Sequence, residues 1–166
     1  TVEYLIDMIF AQEFASHNRY VMMYIILQEL NIEFNKKYLI ETIHNYIDFE
    51  RLILRKGAIS AEKDKLCIIS LNMRDGILIC KGKGNQEWNY SSAHGCGRIM
   101  SRRKATQCFN MKDYQKCMED VYSSCINKDT LDEIPLAYKD VDYIKESIGD
   151  SVTIIKQLLP IINIKG

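Results

Sequence analysis

The sequence predicts an α+β fold, mixed short strands with flanking helices, on three observations. Residues 2–30 run without glycine or proline and repeat apolar side chains at helical spacing. Residues 52–81 break into short isoleucine-rich segments punctuated by Gly and Asp, the pattern of strands and turns. From residue 101 onward, short segments with capping residues return to helical spacing. Helices and strands are therefore grouped rather than alternating as βαβ units.

Taken in order, Leu5, Met8, Ile9, Ala15, Met22, Met23, Ile26, Leu27 and Leu30 predict a first helix buried on a broad face. Its methionines suit core filling better than a metal or cofactor site. Asn35 is placed to cap a second helix through about Asn45, with His44 at its end. Strands are predicted over 52–54, 57–60, 66–70 and 77–81, with Asp75-Gly76 as a hairpin turn. Trp88 and Tyr90 precede a glycine motif, where they either brace it or stack on a base. Ser101 is placed to cap a helix over 102–108, and Asp113 one over 114–126. A polar connection over 129–135 ends at Pro135. Helices are expected over Val141–Ser147 and Ser151–Leu159, and a final strand over Ile161–Lys165.

A length of 166 residues makes one domain the default. Net charge is zero, which removes any bulk attraction to nucleic acid or membrane, but the charge is unevenly spread. Residues 1–50 carry three Lys/Arg against eight Asp/Glu, and residues 129–150 carry two against seven. Residues 81–104 reverse this, with six against one. That basic stretch fits a phosphate site and equally fits a solvated charge run. The six cysteines lack CxxC spacing, and no apolar run is long enough to span a membrane, so a reducing cytoplasm is expected. Cys67 and Cys80 fall in apolar strands and read as core.

The basic stretch contains SSAHGCGRIMSR, Ser91 to Arg102. His94 directly precedes the turn Gly95-Cys96-Gly97, and Arg98 and Arg102 follow. Glycines allow close backbone approach to an anion, and successive N–H groups form an anion-binding nest. Arginine supplies a planar fork for phosphate. A histidine at the lip of such a site suits nucleophilic attack on phosphorus. The plain alternative is a surface turn with a solvated histidine. Cys96 as nucleophile with His94 as base has poor geometry, two residues apart on a turn.

The motif does not stand alone. RKGAISAEK (Arg55 to Lys63), KGKGN (Lys81 to Asn85), AHGCGRIMSR, IPLAYKDVD (Ile134 to Asp142) and the terminal IKG occur in one order. Together they resemble the C-terminal part of the RtcB family of RNA-splicing ligases, from about Gln12 to Gly166. The resemblance implies a GTP- and manganese-dependent enzyme joining RNA 3′-phosphate or 2′,3′-cyclic phosphate ends to 5′-hydroxyl ends. It implies that His94 is guanylylated, and that Asn72, Gly95, Cys96, Gly97, Arg98, Tyr138 and Lys165 meet nucleotide or phosphate. His44, in IHNY, resembles a manganese ligand of the family. Implied partners are RNA, as tRNA halves or cleaved ends, and no membrane.

Two departures from the family pattern temper this. The family's other metal motifs are absent and the chain begins at Thr1, so it is expected to be part of a longer protein or to need a complementing N-terminal segment. SLNMRDGI, Ser70 to Ile77, stands where the family has a glycine-rich nucleotide loop. Leu71 and Arg74 replace glycines, and Asp75 is expected to face phosphate. Ala93 stands where the family has serine. The alternative expectation is a degenerate RtcB-like protein that binds RNA or a partner without ligating.

Overall fold

A computed structural model describes residues 2–164. Helix α1 (Val2–Glu29) comes first, followed by a single 3-10 turn over 36–38. Strands β1 (Asn45–Asp48) and β2 (Ile53–Lys56) pair antiparallel as a hairpin. Strand β3 (Ala58–Ser60) pairs antiparallel with β6 (Ser91–Ala93). The largest sheet has the order β4-β5-β8, all antiparallel, from Leu66–Ser70, Ile77–Gly82 and Val152–Leu158. Short helices α2 (Arg102–Cys108), α3 (Met111–Cys117) and α4 (Val141–Ser147) flank these strands. A two-residue parallel pair joins β7 (Tyr122–Ser123) to β9 (Ile162–Asn163). The architecture is α+β, as the segregated pattern predicts.

Two cores hold it together. The first lies under the β4-β5-β8 sheet, where Ile69, Leu78, Cys67 and Cys80 meet Ile144 and Ile148 of α4 and Val152 of β8. Apolar side chains alternate along β5, so one face is removed from water. Burial pushes the Cys67 and Cys80 thiols up to about 11 and about 12, so both act as small apolar fillers. The second core gathers Ala105, Tyr114, Met118, Val121, Leu131, Ile134 and Ala137 from α2, α3 and the turns over 128–137. Tyr138 packs against both.

Local chemistry fixes several boundaries. Ser101 accepts from the Lys104 N–H and starts α2 where expected. Asp140 caps α4 by accepting from Asp142 and Tyr143 N–H. The β4–β5 hairpin turns at Asp75-Gly76.

Four expectations need correction. Helix α1 buries none of its side chains, because only its inner side approaches the sheets. Asn35 does cap, accepting from Lys37 N–H at 3.0 Å, but one 3-10 turn follows instead of a helix to 45. Ile40, Thr42 and Ile43 are β-branched and disfavour the helix. Thr42 instead accepts from the Ile68 N–H at 2.9 Å and ties this extended run to β4. Helix α3 is capped by Asn110, with Asp113 as the reciprocal partner of a capping box, and runs only from Met111 to Cys117. The expected helix over 151–159 is β8, since Val152, Thr153, Ile154 and Ile155 favour extended backbone and β5 offers a free edge. Of the final strand, Ile162 and Asn163 pair as β9, and Lys165 lies outside the described residues.

Candidate active site

His94 follows β6, and its backbone is held by β4: the His94 carbonyl accepts from Ser70 N–H at 3.2 Å. The next residue, Gly95, bridges to Ser70, and a Cβ there would sit 2.8 Å from the Ser70 carbonyl oxygen. Glycine at 95 is thus demanded by close strand contact. The Cys96 N–H donates to the Ser70 carbonyl at 2.9 Å. Its thiol is buried and donates to the Lys139 carbonyl at 3.0 Å. Burial pushes this thiol up, which removes Cys96 from the nucleophiles. The HGCG turn is therefore stitched to β4, and the Cys96 N–H is already satisfied.

The His94 ring is oriented from the other side. Its Nδ1 lies 2.7 Å from the Gly57 carbonyl oxygen. A carbonyl only accepts, so Nδ1 is the donor, and Nε2 is the nitrogen that bears the lone pair in the neutral ring. Among the described residues Nε2 has no hydrogen-bond partner. Gly57 holds a left-handed backbone at φ +67°, with its N–H donated to Asn45 Oδ1 at 2.9 Å. That conformation, which glycine adopts without strain, turns the carbonyl toward His94.

Arg55 braces this arrangement. Its side chain is 1% exposed and donates to Asp48 Oδ2 at 2.9 Å, the Tyr46 hydroxyl at 2.8 Å and the Ser91 hydroxyl at 2.9 Å. It ties β1 and β2 to the start of β6, two residues before Gly57 and three before His94. Burial pushes the Asp48 carboxyl up, but hydrogen bonds from Arg55 and the Arg51 N–H outweigh it and hold it below its ordinary range. Sequence reasoning quoted RKGAIS as a motif without a role for Arg55 or Gly57. The available signal was weak, because Arg55 is followed by Lys56 in the same short strand and reads as part of a solvated basic pair.

His44 completes a pair. Its ring stacks on that of His94 with centroids 4.7 Å apart and planes 10° apart. Its carbonyl accepts from Ala58 N–H at 3.3 Å, so both histidines hang on the Gly57-Ala58 corner. Partial desolvation, the His94 ring and Arg19 all push the His44 imidazole below its ordinary value. The shift favours the neutral ring, the form that ligates metal. Both rings open into a cleft of about 790 Å³ between α1 and the sheets. Met22, Met23, Ile26, Leu39, Ile40 and Ile68 give it apolar walls, with His17, Arg19 and Lys36 among its polar lining.

Other predicted residues stand apart from this cleft. Arg98 donates to the carbonyls of Met100 (3.1 Å) and Asp132 (2.5 Å), reaches Tyr138 Oη at 3.3 Å and Glu133 at 3.5 Å, and lies 5.0 Å over the Tyr138 ring. The Tyr138 hydroxyl donates to Glu133, and Arg102 pairs with Asp132 and Glu133. Arg98 and Tyr138 thus already have protein partners. Asn72 folds onto its own loop, accepting from the Arg74 and Asp75 N–H groups and donating to Asp75 Oδ2 at 2.7 Å. Asp75 is further paired with Arg74 at 2.8 Å, so its charge is compensated locally rather than aimed at a phosphate as expected. Leu71 is a core residue.

The residues present do not build a manganese site alone. Among the described residues no group of three or more His, Cys, Asp or Glu is placed to hold a metal ion. His44 is a single available imidazole, and a stable divalent site needs several donors.

Comparison with known proteins adds a family. The family model described as tRNA-splicing ligase RtcB matches residues 1–166. RNA-splicing ligase RtcB of Escherichia coli K12, and RtcB1 of a second Escherichia coli strain, are each 33% identical over 185 residues, covering 99% of this chain and 44% of theirs. The tRNA-splicing ligase RtcB of Aeropyrum pernix is 36% identical over 84 residues, 48% of this chain and 17% of its own. The chain thus spans less than half the length of these curated relatives.

Proposed function

The chain belongs to the RtcB family of tRNA-splicing ligases, and from that premise we propose that it carries the nucleophilic half of an RNA-ligase active site. The observation that supports this reading is the hydrogen bond from His94 Nδ1–H to the Gly57 carbonyl. In the neutral ring it puts the lone pair on Nε2, and the ring lines the cleft. In the proposed reaction Nε2 attacks the α-phosphorus of GTP, a P–N bond forms and the bond to pyrophosphate breaks. The GMP group then passes to an RNA 3′-phosphate, regenerating the imidazole. A 5′-hydroxyl oxygen attacks that activated phosphate and GMP leaves. A hydrogen bond from Nδ1–H to a fixed carbonyl stabilises the positive charge that builds on the ring during attack.

Manganese belongs to this reading only through residues outside the described donor set. His44 is the ligand this chain would offer, and the ion would polarise the phosphate. Gly95, Gly97 and Lys165 are proposed to approach the nucleotide backbone-first or by charge. Arg98, Tyr138 and Asn72 would have to exchange their present partners to do so. RNA ends, with tRNA halves among them, are the proposed substrates. A cytoplasmic setting accords with the six free thiols among the described residues. No described helix is long and apolar enough to cross a membrane.

A second reading draws on the incomplete donor set and the self-closed 71–76 loop: an RtcB-like chain that binds RNA or a partner without ligating. One experiment separates them. Co-expressed with the remainder of an RtcB-type chain, the protein is incubated with α-labelled GTP and manganese. The ligase reading expects an acid-labile protein adduct, lost in His94→Ala and His94→Asn. The binding-only reading expects none.

A further inference from the structure

Helix α1 is 28 residues long and none of them is buried. Its inner side lines the cleft through Tyr20, Met22, Met23 and Ile26. Its outer side is apolar as well. Phe10, Phe14, Val21 and Ile25 are 71%, 65%, 50% and 51% exposed. At 3.6 residues per turn these four fall within about 60° of one another, on the side turned away from the cleft-lining residues. Two exposed phenylalanines and two β-branched residues form an apolar stripe, interrupted between Phe14 and Val21 by exposed Asn18, of the kind that marks an interaction surface.

We infer that this outer stripe of α1 is the docking surface for the remaining portion of an RtcB-type chain, an inference that rests on the proposed function. Two observations choose this occupant. The relatives carry more than half of their length outside the matched region, which supplies a body of suitable size. The charge on the helix disfavours a second copy. Glu3 and Asp7 lie on the same side as the stripe near its start, with Glu29 at the far end. A parallel copy would set Glu3 and Asp7 against their equivalents, and an antiparallel copy would set them near Glu29. Either pairing places like charges together. The occupant therefore presents an apolar groove with a cationic side chain opposite Glu3 and Asp7. A lipid surface fits poorly, since Arg19 is the one basic residue between Val2 and Glu29 and membrane-surface helices are rich in Lys and Arg.

The full 166-residue chain is co-expressed with the unmatched portion of Escherichia coli K12 RtcB, and amide hydrogen exchange is followed without GTP or RNA. The expected result is a one-to-one complex in which exchange along residues 10–25 slows at least tenfold. The double variant Phe14→Lys, Ile25→Lys should weaken the complex at least tenfold while keeping the helical circular dichroism of the free chain. Leu54→Lys, an exposed apolar residue of β2, should leave it intact. The inference is overturned if no complex forms, if a complex forms with α1 unprotected, if the free chain dimerises through the stripe, or if phosphatidylcholine vesicles protect α1 instead. Because nothing here depends on catalysis, a complex that protects α1 but gives no guanylylated protein would sink the ligase reading and leave this one standing.

Discussion

His94 is set by two backbone contacts and one ring contact, and each can be perturbed separately. Gly57 is the most exposed to change. An alanine Cβ there would meet the His94 ring at 3.7–3.8 Å, ordinary contact, so the cost comes from φ +67° and not from a clash. Gly57→Ala should lower stability by about 1–2 kcal/mol, the penalty of a left-handed non-glycine residue. It should also slow guanylylation in the completed enzyme, as the carbonyl that fixes the tautomer turns away. Chemical denaturation and adduct-formation rate would check the two effects, and an unchanged rate would show that the Gly57 contact does not orient His94. The stacked His44 offers a titration test. Its midpoint by NMR should lie below about 6.5, the ordinary histidine value, because partial desolvation, His94 and Arg19 all oppose its protonation. The linked stability is present above the ordinary value and is lost as pH falls through the depressed one. His94→Ala should move the midpoint part of the way back up. A His44 midpoint above 6.5 would contradict the stacked arrangement that opposes its protonation.

Among the elements, the β1–β2 hairpin depends on a buried charge. Arg55→Met removes the guanidinium from Asp48 and leaves that largely buried carboxylate with the Arg51 N–H but no cation, which should cost about 3–5 kcal/mol. Thermal or urea unfolding would measure it, and a loss under about 1 kcal/mol would show that Asp48 reaches solvent. Asp48 holds a depressed pKa, so its contribution is present above the ordinary carboxylate value and fades as pH falls through the depressed one. The 70–77 loop behaves differently from its sequence reading. Leu71 is 4% exposed, so Leu71→Gly opens the first core and should destabilise the protein rather than tighten nucleotide binding. Much of the fold was legible because its signals are local: the Ser101 cap, the Val141–Ser147 helix, the hairpin at Asp75-Gly76. Strand β8 was not, because its identity depends on the free edge of β5, which no local pattern reveals. A site role for His44 was implied by family resemblance alone, and its stacking on His94 was not foreseen. The orienting carbonyl of Gly57 was hidden, because a backbone oxygen carries no residue-type signal.

At the scale of the molecule, the proposed nucleophile His94 is held in place from two sides, and among the described residues the metal donors are incomplete. A fully functional site requires both, so the isolated chain should not seal a 3′-phosphate end to a 5′-hydroxyl end. Ligation by the purified 166-residue chain with GTP and manganese would refute the incomplete-site account. The α1 stripe and the His44–His94 cleft lie on opposite sides of one helix, so a single added body could cover the stripe and approach the cleft. The central claim is that His94 is the nucleophile and that Nε2 is the attacking atom. It is tested most directly by trapping the adduct from the completed enzyme and reading the ¹⁵N–³¹P coupling of ring-labelled histidine. The account predicts a phosphoramidate on Nε2 of His94, with Nδ1 still protonated. A guanylyl group on Nδ1, on His44, or on any residue other than His94 would contradict it.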